Sequence, residues 1–141
     1  MPGFNDTEAI AVYPTNPGDA FRVPTVEKAA GFDVNLEAEA GNGLIGPNAI
    51  TPYTAAVQVR NLTQFRPVTV TTGAANAVGT IGVGQPWDTN DERFVFNVAA
   101  GSPDVDPGDF VEVLASVSSG NPAGAASNDF SFVRSAVFQV I

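Results

Sequence analysis

The sequence predicts an all-β fold, an antiparallel β-sandwich of seven or eight strands. Three observations carry that expectation. The 141 residues include 14 Gly and 11 Pro, a content that interrupts helices and suits short strands joined by turns. Phe32, Val34, Leu36, Ala38 and Ala40 alternate with Asp33, Asn35, Glu37 and Glu39, and a period of two gives a strand one buried and one wetted face. Strand-like runs also recur at intervals of about ten to fifteen residues, with turn residues between them, as in sandwiches and barrels.

Taken in order, residues 1–19 are polar and broken by Pro2, Pro14 and Pro17. They read as an extended arm preceding a single domain over 20–141. Phe21 to Val26 alternates around Pro24 and reads as an edge strand, and Val26 to Ala30 is long enough for one helical turn before Gly31. After the strand Phe32 to Ala40, Gly41-Asn42-Gly43 supplies turn chemistry. Tyr53 to Leu62 directs Tyr53, Ala55, Val57 and Val59 inward, Pro67 to Thr72 is a β-branched strand, and Thr80 to Val83 a shorter one. Phe94, Phe96 and Val98 form the inner face of the next strand, and Val111, Val113, Ala115 and Val117 that of the strand beginning at Phe110. In the last segment, Asp129 to Ile141, Phe130 and Phe132 share one phase that Val137 and Gln139 do not continue, which places a bulge near Arg134-Ser135.

Asp106-Pro107-Gly108-Asp109-Phe110, followed by an alternating strand, resembles the Asp-x-Gly-x-Tyr corner of immunoglobulin-like sandwiches, and the strand count and spacing agree with that architecture. Phe110 stands where the corner Tyr would be, no Cys pair is present, and Trp87 falls in a loop. A jelly roll is the alternative arrangement. Neither architecture implies a particular activity.

Composition excludes more than it assigns. With no His and no Cys, the chain lacks the residues for Ser-His-Asp or thiol catalysis, zinc fingers, iron–sulfur clusters and disulfides. Fifteen acidic residues against six basic ones give a net charge of -9, which repels nucleic-acid phosphates and anionic lipid. No apolar run approaches the ~20 residues that span a bilayer, and residues 1–6 lack the basic and apolar regions of a signal peptide. Membrane insertion is therefore not expected, and a virion or cell-surface setting suits this composition.

Several residues are candidates for chemistry. Asp104, Asp106 and Asp109 crowd one Pro/Gly turn and supply hard oxygens of the kind calcium takes, but the loop lacks a later bidentate Glu and Pro107 stiffens it, so a solvated turn is the preferred reading, and no other cofactor is expected. Asp88-Thr89-Asn90-Asp91 resembles the acidic string of cadherin calcium linkers, here inside a domain. Glu37 and Glu39 share a strand face at about 6 to 7 Å, near the spacing of glycosidase carboxylates, but nothing nearby in sequence desolvates either. Trp87, with Tyr53 and Tyr13, is a candidate aromatic platform for a sugar or small ligand; as a core residue Trp87 would instead close one end of the sandwich. Asn5-Asp6-Thr7 and Asn61-Leu62-Thr63 match the glycosylation sequon, and Gly79 to Gly84 lacks the Lys-Ser/Thr of a phosphate loop.

Together these readings favour a non-catalytic structural or interaction module over an enzyme. It would assemble with itself, as a homo-oligomer, or with a protein partner. One route is strand donation by Ile10, Val12 and Tyr13 of the arm to a neighbouring sheet edge. The alternative is a carbohydrate- or small-ligand-binding module using Trp87 and the end loops.

Overall fold

The computed structural model describes residues 3–4, 6–45, 51–72, 78–120 and 129–141. They form two packed β-sheets. The first contains β1 (Thr7–Thr15), β3 (Phe32–Ala40), β8 (Asp91–Val98) and β6 (Thr71–Thr72), in the order β1-β3-β8-β6. The second runs β2 (Thr25–Val26), β11 (Phe138–Val140), β9 (Phe110–Ser119), β4 (Thr51–Asn61) and β5 (Arg66–Val68). In addition, β10 (Asp129–Arg134) pairs with β9 and β7 (Val78–Ile81) with β4. Strand pairings among the described residues are antiparallel except β2 with β11, which is parallel.

The alternation that predicts β3 holds for its apolar face, but the polar face is wetted only at Glu37 and Glu39: Asp33 and Asn35 are buried, Asp33 Oδ2 accepting from the Gly18 N–H and Asn35 Nδ2 donating to Thr15 Oγ1. Phe32, Val34 and Leu36 are buried with Phe94 and Phe96 of the neighbouring strand, against Val111, Val113 and Val117 of the opposite sheet. Burying a side chain of this size is worth about 1.5–3 kcal/mol, so this shared interior is the main favourable term. Gly31 is fixed by the packing as well as by its φ of 75°: a Cβ there would sit 2.6 Å from the Val98 carbonyl oxygen. The turn before it closes through a bond from the Gly31 N–H to the Glu27 carbonyl; it is a turn over residues 28–30 rather than the helical turn expected from Val26, which lies in β2.

Further details depart from the sequence reading. Residues 7–15, read as part of an arm, are β1, paired with β3 from Thr7↔Ala40 to Thr15↔Asp33, and they place Ala9 and Val12 in the common core. Of Phe21 to Val26 only Thr25 and Val26 are in a strand, and Phe21 is exposed. Pro67 to Thr72 is two strands in different sheets, β5 and β6, because the chain crosses between sheets where the Thr69 N–H bonds Asp104. Gly41-Asn42-Gly43 leads into a helical turn, α1 (Asn42–Ile45), rather than a plain turn. The break near Arg134-Ser135 is present: residues 135–137 lie outside the strands, and the Ser135 N–H and Oγ bond the Val113 carbonyl and N–H. Consequently β10 and β11 share one side of β9.

Candidate functional site

The β10 strand has an inverted face. Its residues alternate between Asp129, Ser131 and Val133 in one phase and Phe130, Phe132 and Arg134 in the other, and it is the polar phase that turns toward the sandwich interior. The cause lies on the neighbouring element. As the edge of its sheet, β1 exposes backbone N–H groups that need acceptors. Asp129 Oδ2 accepts from the Thr7 N–H at 2.6 Å, and Ser131 Oγ from the Ala9 N–H at 2.9 Å. With that phase used to cap β1, Phe130 and Phe132 stand outside the second sheet, 56% and 72% exposed, their rings edge-on at 4.5 Å.

Capping β1 accounts for the inward residues but not for the choice of two phenylalanines outside. Across β9 and β4 their row neighbours are Ser118 and Thr54, then Ser116 and Ala56. None of these is ionisable, so part of a chain carrying -9 presents a neutral, aromatic-topped surface. The outer face of the first sheet is its opposite. There Glu8, Glu39 and Asp91 lie side by side across β1, β3 and β8, and Glu37 faces Arg93 in the next row.

No protein-family model, curated protein or solved structure matches this chain.

The aromatic residues singled out by sequence do not form a ligand platform. Trp87 is 0% exposed and packs edge-on against Tyr53 and Phe94 at 5.3 and 5.6 Å. A bridge between Trp87 and Ile81 draws this loop residue into the core, and its indole N–H is buried without a hydrogen-bond partner. Tyr53 is likewise buried; burial raises its hydroxyl pKa. Tyr13 lies buried on the other sheet, its hydroxyl donating to Glu37 Oε1 at 2.8 Å and its ring under the Arg22 guanidinium at 5.0 Å. Glu37 is therefore held by a tyrosine, not poised beside Glu39 as an acid–base pair. Of the residues proposed for strand donation, Val12 and Tyr13 are buried within their own sheet, and Ile10 is the exposed residue at a register shift in β1.

The three aspartates come together, but their oxygens meet protein donors. Asp109 Oδ2 accepts from Asn61 Nδ2 and Gln64 Nε2, both at 2.7 Å, and from the Asp106 N–H at 2.8 Å. Asp104 accepts from the Thr69 N–H at 2.9 Å and from Arg66 at 2.7 Å. Asp106 accepts from Lys28 at 3.0 Å and Gln64 at 2.9 Å. These donors fix the carboxyl pKa values below their usual range. The Thr69 N–H lowers Asp104 most, and the Lys28 hydrogen bond lowers Asp106 most. For Asp109 burial pushes upward, and the bonds from Asn61, the Asp106 N–H and Gln64 outweigh it. Among the described residues no group of three or more acidic side chains is arranged to hold a metal ion.

What the cluster does hold is the turn between β4 and β5. Asp106-Pro107-Gly108-Asp109 is itself a tight turn, with the Asp109 N–H bonded to the Asp106 carbonyl and Gly108 at φ 98°. The Asp109 carboxylate ties this turn to Asn61 and Gln64. Asn61 is buried, so its amide is committed to this network rather than offered as a glycosylation acceptor; Asn5 of the other sequon lies outside the described residues. Sequence reasoning missed the outward placement of Phe130 and Phe132 and the exposure of Phe65. The signal for β10 is its second phase, Asp129-x-Ser131, two short acceptors spaced to meet alternate N–H groups of another strand.

Proposed function

We propose that this protein is a non-catalytic assembly module that associates with a second copy of itself through the outer face of β10, β9 and β4. One observation carries the reading: Phe130 and Phe132 are paired and exposed, and their cross-strand neighbours Ser118, Thr54, Ser116 and Ala56 are small and uncharged, while the Arg134–Glu112 ion pair and Arg60 lie toward one end of that face. Two chains of charge -9 repel each other, and the rows that hold Phe130 and Phe132 add no carboxylate to that repulsion. Exposed paired aromatics on a neutral surround are the usual make-up of an interface centre. The immunoglobulin-like reading of the fold is supported by strand order, since β1-β3-β8-β6 opposite β11-β9-β4 has the connectivity of the four- and three-stranded sheets of that architecture. A virion, fibre or cell-surface component is the setting this reading favours.

Sedimentation velocity from micromolar to millimolar concentration tests the proposal. The wild-type mass should rise with concentration, and the double variant Phe130→Ser/Phe132→Ser should associate at least tenfold more weakly with an unchanged far-ultraviolet spectrum. A wild-type chain that stays monomeric throughout, or a double variant that associates equally well, refutes it.

A further inference from the structure

Phe65 is the most exposed large apolar residue among those described, at 92%, and it holds a positive φ of 53°. A turn that served only to join β4 and β5 would place Gly or Asn at that position, because a bulky side chain in the left-handed region is strained. Its ring lies outside the core cluster. Yet the turn that bears it is tightly fixed. The Gln64 N–H donates to Asn61 Oδ1 at 3.1 Å, the Phe110 N–H donates to Thr63 Oγ1 at 2.9 Å, and Gln64 and Arg66 are held by the aspartates described above. A side chain presented on so constrained a backbone loses little freedom on binding.

The same chain carries a hollow of the complementary kind. Where β1 faces residues 136–138, a groove of about 250 Å³ opens between Val12, Pro14, Val23, Val137 and Phe138. Arg22 is the charged residue of its lining. Beneath the Phe65 turn Asp106 and Asp104 are paired with Lys28 and Arg66, while Asp109 is held by the neutral amides of Asn61 and Gln64, so the turn presents one carboxylate without a cation and the groove presents Arg22.

We infer that the Phe65 turn of one copy docks in the β1 groove of another. This contact is separate from the Phe130/Phe132 face and does not depend on it. Because ring and groove are different surfaces of one chain, the contact is head-to-tail: each copy that donates Phe65 leaves its own groove open to the next, which builds a filament or, if the rotation closes, a ring.

A complementation experiment in the Phe130→Ser/Phe132→Ser background tests this contact alone. A ¹⁵N-labelled chain carrying Phe65→Ser retains only the groove; an unlabelled chain carrying Val137→Glu retains only the ring. Adding the second to the first should shift the amide resonances of Val12, Val23 and Ala136 in a saturable manner. Adding unlabelled Phe65→Ser should bind at least tenfold more weakly or leave them unmoved. Both substitutions are at exposed positions, and the dispersion of the same spectra reports that each variant is folded. Absence of shifts at millimolar concentration, equal shifts with the ring-less chain, or shifts confined to other residues overturn the inference.

Discussion

Replacing Asp109 by Ala removes the acceptor that joins the Asp106–Asp109 turn to the β4–β5 turn. Three hydrogen bonds to one carboxylate oxygen are lost, from Asn61, Gln64 and the Asp106 N–H. A bond to a charged group nets about 1.5–3 kcal/mol, so simple addition gives roughly 4.5–9 kcal/mol. Two donors retain another partner: Asn61 Nδ2 also donates to the Asp104 carbonyl, and Gln64 Nε2 to Asp106 Oδ2. The Asp106 N–H alone is stranded, which brings the expected loss to about 3 kcal/mol, or about 6–12 °C in Tm for a domain near this size. The pH dependence gives the sign. Asp109 has a lowered carboxyl pKa, so its contribution is fully present above the unfolded value near ~3.9 and is lost as pH falls through the folded value. Urea unfolding of wild type and variant at pH 7 and at successive values below 4 measures the difference. It should be about 3 kcal/mol at neutrality and shrink steadily in acid. A difference under about 1 kcal/mol at pH 7, or one that does not shrink in acid, refutes the role assigned to this carboxylate.

Two further outcomes follow from the same geometry. Phe65→Asn should raise the unfolding free energy by about 1 kcal/mol, because Asn accepts the left-handed conformation that strains Phe, while weakening the head-to-tail contact; a thermal melt showing destabilisation would mean the ring supports the fold. Trp87 emission should be blue-shifted, resist acrylamide quenching and remain unchanged on addition of glycans, as an indole enclosed by Tyr53 and Phe94 requires; ready quenching would place it at the surface.

Local pattern sufficed wherever one face of a strand meets the core directly. The bounds of β3 coincide with the alternation from Phe32 to Ala40, since a slip by one residue would turn four polar side chains into the apolar interior; the burial of Asp33 and Asn35 on the other face depends on Gly18 and Thr15, which the local pattern does not show. It did not suffice where a distant partner decides. Nothing between Pro67 and Thr72 marks a change of sheet; the crossing is set by Asp104, 35 residues away, accepting the Thr69 N–H. Trp87 sits among loop residues yet is drawn inside by Ile81. The aspartates were identifiable by type, but the direction of their oxygens depends on Asn61 and Gln64, brought near by the second sheet. In β10 the local rule, phenylalanine inward, yields to the bare N–H groups of a strand 122 residues earlier.

That conflict bears on function because the two sheets resolve their outer faces so differently. On the first, Glu8, Glu39 and Asp91 occupy adjacent strands in one row, a like-charge arrangement that costs stability and is tolerated when the face remains in water. On the second, the cross-strand neighbours of Phe130 and Phe132 carry no charge, and Arg134, Glu112 and Arg60 stand toward one end of the face with Arg134 and Glu112 paired. Two copies meeting through their second sheets leave both acidic faces outward, where repulsion opposes stacking of a third copy in the same direction. On the proposed reading, face-to-face association would stop at a pair, and a longer assembly would grow through a contact lying off both faces. The inferred docking of the Phe65 turn in the β1 groove would be such a contact: one surface lies at the tip of a turn, the other along the seam between β1 and residues 136–138.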